Sequence, residues 1–277
     1  ADTGENVLSD ADAFTKNADQ TTQIASSLIN STSTKVILQA TNNIDFNSAI
    51  AIASGAGSLR AEAGNTITVN APISATAGDL DFRAPNFTLA GGASLDSTGY
   101  IDIKTDTIAI NGTIGTAASR PNVSFTPFSA GRAMSISSIK QAGELSLSPD
   151  ELNQITGYGI NIGSSANSGG ITVSSNYTAE AGKTPNLVLE TSGSIRVEGT
   201  IDLSTHHTNS HAVLGLYGVT GGSIEVNGTS AIKSGSIVAR SDSLVLGGEL
   251  DTGSTGSITI MPHNAATSIS LGGSAYD

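Results

Sequence analysis

Aliphatic residues recur along the chain at intervals of 21 to 23 residues. Val36, Leu59, Leu80, Ile101 and Val123 open successive units, with gaps of 23, 21, 21 and 22. Seven or eight positions after each of the first four comes a second apolar residue (Ile44, Ile67, Phe87, Ile108), and in three of these units a third follows six later (Ile50, Ile73, Ile114). Around the opening residues apolar and polar positions alternate: Val36/Leu38, Leu59/Ala61, Leu80/Phe82, Ile101/Ile103, Val123/Phe125. That period of two belongs to a strand with one face in a core and the other in water. Three short strands make one coil, and a single coil cannot bury its apolar face, so coils must stack. The pattern predicts an all-β chain, a parallel β-helix of roughly ten coils, right-handed by the general chirality of parallel crossovers. At about 4.8 Å per rung the rod is on the order of 50 Å long. Its core ladders are expected from Leu38, Ile44, Ile67, Leu80, Ile103 and Ile108.

The rhythm lapses in three places. In residues 1–35, Asp19 is placed to cap a short helix with Ile24 and Leu28 on one face, which would lie over the open end of the first coil or run along its side. Between about 129 and 186, Ser148-Pro149-Asp150-Glu151 reads as a helix start: a hydroxyl cap, proline in the first turn and glutamate at the capping-box position. The stretch is one or two coils carrying a helical excursion near 148–156, because strand pieces continue at Ile160–Ile162 and Ile171–Val173. From Leu187 the spacing resumes (Leu187, Ile195, Ile201; then Ile237, Leu244, Leu250), interrupted by a loop over about 204–222. Ile258 opens a last unit. The organisation expected is an N-terminal segment, 1–35, and a solenoid, 36–277. Coils 36 and 258 are each expected to present strand edges outward, which makes the chain a segment of a longer rod or a subunit that stacks end to end into a fibre.

Composition narrows the function classes. Only 13% of residues are charged, 4% are aromatic, and Trp and Cys are absent, against 32 Gly. The surface is therefore covered by Ser, Thr, Asn and Gly, and thiol chemistry and disulfides are ruled out. A net charge of −12 argues against a nucleic-acid partner, which needs a basic face. No apolar run approaches the ~20 residues of a membrane span.

The segments Val36-Ile-Leu-Gln-Ala-Thr-Asn-Asn-Ile-Asp-Phe, Leu59-Arg-Ala-Glu-Ala-Gly-Asn-Thr-Ile-Thr-Val and Leu145-Ser-Leu-Ser-Pro-Asp-Glu-Leu-Asn-Gln-Ile resemble repeats of filamentous-haemagglutinin-type exoproteins. The likeness covers most of residues 20–271. It implies a large secreted or bacterial cell-surface protein, commonly an adhesin exported by a two-partner outer-membrane route, whose partner is a glycan or protein of a host or neighbouring cell. It implies no catalytic residues, cofactor or metal. The family's N-terminal secretion domain, with its Asn-Pro motifs, has no counterpart in the sequence, so the export route is not implied.

Several groups are candidates for chemistry. His206, His207 and His211 fall in the 204–222 loop, where His207 and His211 would share a face only if it were helical, and no Cys or carboxylate completes a shell. Asp2, Asp10 and Asp12 lack the spacing of a calcium loop. Asp81 and Asp102 should project from one face of adjacent coils, a pair that could serve a glycosidase or hold a cation. Arg60 beside Asp81 and Glu62 beside Arg83 favour cross-rung charge pairs instead. A carbohydrate-active enzyme, a polysaccharide lyase or glycoside hydrolase on this scaffold, is the alternative to a structural or adhesive rod. Six Asn-x-Ser/Thr triplets start at Asn30, Asn86, Asn111, Asn122, Asn176 and Asn227. The Thr-x-Val and Thr-x-Ile strands are not expected to form a threonine column.

Overall fold

The computed structural model describes residues 5–7, 23–30, 32, 34–52, 57–205, 212–219 and 221–267. Alternation makes the strands: Leu59–Ala63, Leu80–Arg83 and Tyr100–Lys104 each place every second side chain in the core. Corresponding strands of successive coils pair in parallel, so the chain is a parallel β-solenoid of about nine turns. One face is a single 11-stranded sheet, running from Glu5–Val7 through Lys35–Ala40 to Ser257–Met261. The second face is divided into a 4-stranded and a 6-stranded sheet, and the third into two 4-stranded sheets. At about 4.8 Å per rung the continuous sheet is roughly 48 Å tall.

The expected ladders line the core. Leu80, Ile67 and Ile103 are inaccessible or nearly so, Leu38 and Ile108 are buried, and Ile44, on the lowest strand of the second face, is partly buried against them. Phe46, Phe82 and Phe87 pack as an edge-on and a tilted pair, with centroids 6.1 and 5.4 Å apart. Buried hydroxyls secure the corners in a repeated way. Ser97, Thr191 and Ser241 each donate to the carbonyl oxygen of a glycine one coil below, Gly78, Gly169 and Gly222. Each also accepts the amide two residues on, from Gly99, Gly193 and Ser243. At Gly163 the backbone takes φ +83°, and an added Cβ would meet the Glu190 carbonyl oxygen at 2.2 Å, so the coil closes there only with glycine.

Three expectations change. The N-terminal helix is Ser26–Asn30, and Ile29 is the residue it buries, while Ile24 and Leu28 stay exposed. Fewer than two turns present one inward position, and Asn30 uses its side-chain oxygen to accept the Ala51 amide at 2.9 Å on the edge of the third face. Asp19 lies outside the described residues. Coil 36 is not the outermost rung, because Glu5–Val7 pairs beneath Lys35–Ile37. Within 204–222, read as a loop, the strand Val213–Gly218 forms a full rung of the continuous sheet. Gly215 takes its outward position and removes the polar alternation that would have marked it.

The helical excursion follows its sequence signal. Pro149–Asn153 is helical, Ser148 Oγ accepts the Glu151 amide, and the Glu151 carboxylate returns to the Ser148 amide. Among the described residues no helix is long and apolar enough to cross a membrane.

Candidate functional site

The outward face of the continuous sheet carries a network of charged side chains. Register places Arg60, Asp81, Asp102 and Ser124 in one column, and Gln39, Glu62, Arg83 and Lys104 in the next. Arg60 Nε donates to Asp81 Oδ2 at 2.9 Å across one rung, as the sequence indicated. Arg83 does not reach Glu62. It turns to Asp81 two residues back, with Nε on Oδ1 and Nη2 on Oδ2, both at 2.9 Å. Glu62 turns to Arg60 Nε at 3.2 Å and accepts from Gln39 Nε2 at 2.8 Å. The planar fork of Arg83 matches both oxygens of one carboxylate, which explains the choice of partner.

These contacts define what the two aspartates can do. Both oxygens of Asp81 are taken up by guanidinium groups, and its hydrogen bond to Arg83 holds that guanidinium above its ordinary range. Asp81 is thus an acceptor whose two oxygens are both occupied. Burial raises Asp102 above the ordinary aspartate range, opposed by a hydrogen bond from Ser124 Oγ and reinforced by the charge of Asp81. The two stand on adjacent rungs of the sheet face, and Arg60 and Arg83 occupy both oxygens of Asp81. Among the described residues no group of three or more His, Cys, Asp or Glu side chains is placed to hold a metal ion. His206, His207, His211, Asp2, Asp10 and Asp12 lie outside the described residues.

Two further arrangements were not read from the sequence. The first is an amide ladder at a corner of the lower coils: Asn65 Nδ2 donates to Asn43 Oδ1 at 3.1 Å, Asn86 Nδ2 to Asn65 Oδ1 at 3.2 Å, and Thr107 Oγ1 to Asn86 Oδ1 at 2.6 Å. Its signal was present, since Asn43, Asn65 and Asn86 follow the coil period. The second is a shallow groove on the third face, lined by Ser74, Thr76, Asp96, Thr98, Thr116 and Ser119. Ser119 Oγ donates to Asp96 Oδ1, and Thr116 and Ser119 bond each other's amides through their hydroxyls. The next residue, Arg120, has φ +44°, the one non-glycine in the left-handed region among the described residues, and its guanidinium holds the Gly157 carbonyl oxygen at 3.2 Å.

The asparagine triplets divide by role. Asn86 belongs to the ladder, and Asn30 and Asn176 accept amides of the next coil, from Ala51 and Thr200. Asn111 and Asn227 stand exposed. Thr68 and Thr88 do share a column, but Asp45 and Ala109 flank them, so the run is two rungs long. Comparison of the chain with family models, curated proteins and solved structures finds no match.

Proposed function

We propose that the chain is an extracellular structural and adhesive rod, part of a filamentous-haemagglutinin-type bacterial surface protein. It works by holding an extended surface and its corner loops toward a glycan or protein of a host or neighbouring cell. The observation that carries this reading is the sheet that runs unbroken through 11 rungs. It makes a stiff scaffold, on whose outward face Arg60 and Arg83 both pair with Asp81. Above the charged rungs the outward column continues through Ser124 and Asn161 to Val188, Gly215 and Val238. On this reading the chain is secreted or displayed on the cell surface, performs no bond chemistry, and needs no cofactor or nucleic acid.

Binding of the purified chain to an array of glycans and matrix proteins, with polysaccharide degradation measured alongside, tests the proposal. Saturable binding without bond cleavage is expected. Cleavage that disappears in Asp81→Asn and Asp102→Asn variants would make it a carbohydrate-active enzyme on the same scaffold.

A further inference from the structure

Of the three faces of the solenoid, only one passes the helical excursion intact. The lower second-face sheet ends at Thr107–Ile110, and the upper one begins at Glu144–Leu147. On the third face the lower sheet ends at Thr113–Ile114 and the upper begins at Tyr177–Thr178, with a single bridge from Ile114 to Ile155 between them. A strand edge left inside the fold would have amides and carbonyls without partners, each costly to bury.

Side chains of the excursion take those partners' places. Lys140 Nζ donates to the Ile108 carbonyl oxygen at 3.0 Å and to the Ser146 carbonyl oxygen at 2.6 Å. Glu151 Oε1 accepts the Ile110 amide at 2.9 Å. The other oxygen, Oε2, closes the capping box on Ser148 and receives Lys140 Nζ. One ion pair thus satisfies the edge of Thr107–Ile110, starts the helix and neutralises its own burial. Gln154 and Thr156 serve Ile114 through their backbone: the Gln154 carbonyl oxygen accepts the Ile114 amide at 3.1 Å, and the Thr156 amide donates to the Ile114 carbonyl oxygen at 2.8 Å. Leu152 and Ile155 continue the apolar core beneath, fully buried.

These are the features of a terminal cap, placed in the middle of the chain. We propose that the excursion is an internal cap dividing the rod into two cooperative units, one ending at residue 114 and one beginning at residue 122, joined through the continuous sheet. In stacked repeats stability is a sum of coil terms and neighbour terms, and a junction where one of three hydrogen-bond ladders is replaced by side chains and another is reduced to a single bridge is a weak neighbour term.

The test is hydrogen exchange of the full chain in rising denaturant, followed by mass spectrometry. Segments 66–69, 86–89 and 107–110 are expected to open together, and segments 195–197 and 224–226 together but at a different denaturant concentration. In Glu151→Ala, exchange in 107–114 should accelerate by about tenfold or more, the effect of an unsatisfied buried amide. Exchange in 195–226 should stay within about twofold of the unmodified chain. Lys140→Met should reproduce the pattern. A common opening of all segments in the unmodified chain, or equal acceleration on both sides of the junction, would overturn the proposal. The first of these outcomes decides the matter even where the Glu151 variant does not fold.

Discussion

Ile103 shows how a single position is fixed by the stack. It is 1% exposed and lies in register between Phe82 below and Phe125 above, so its side chain has only apolar neighbours within its ladder. Ile103→Asp would bury a charge or force its protonation, and a loss of about 3–5 kcal/mol is expected. Urea unfolding measures it, and an unchanged midpoint would show a different register. Asp102, one residue earlier, faces outward and behaves oppositely. Burial and the charge of Asp81 raise its native pKa above the unfolded value, so the native state binds this proton more tightly. Ionisation on raising the pH through the native pKa therefore costs stability, and the cost is absent below the ordinary aspartate range. Asp102→Asn should raise the melting midpoint at neutral pH and leave it nearly unchanged in acid. A gain confined to acid would reverse the sign and discard the burial account.

At the level of elements, the excursion is the segment whose stability rests most on local chemistry. Ser148→Ala should cost about 0.5–2 kcal/mol, the usual value of a lost helix cap, and the Glu151 amide is the donor left open. Unfolding followed in the Ser148 variant checks the value, and a neutral result would mean that Glu151 holds the helix alone. This element was legible because its cap, proline and glutamate act within four consecutive residues. Lys140 was not, because its partners Ile108, Ser146 and Glu151 are brought together only by the coil geometry. The same contrast holds elsewhere. Inward aliphatics announce the coils from Val36 to Val123, since a core admits little else. The strand Val213–Gly218 is hidden by glycine at an outward position, where the fold tolerates anything small. Arg83 illustrates a third case: the column was readable, but the choice between Glu62 and Asp81 depended on rotamers that pattern cannot supply.

For the whole molecule, the two ends of the described solenoid differ. Below, Glu5–Val7 and the helix Ser26–Asn30 lie against the first coil. Above, Ile258, Ile260 and Met261 are 44%, 37% and 36% exposed. We propose that such a surface supports end-to-end association, in keeping with a fibre. Sedimentation and electron microscopy over a concentration series should show elongated oligomers, reduced in an Ile258→Lys/Ile260→Lys variant. A strictly monomeric particle at high concentration would refute this. The parallel pairing of the coils has a mechanical side as well. Every ladder hydrogen bond in the continuous sheet points along the rod axis, so tension applied along that axis reaches the rungs in series. Each interface feels the full load in turn, and none shares it with the next. A coil of 21 to 23 residues that detaches can extend to roughly 70–80 Å in place of the ~4.8 Å it occupies when stacked. The rod thus pays out a long length of chain as its coils detach, absorbing work before any covalent connection is strained.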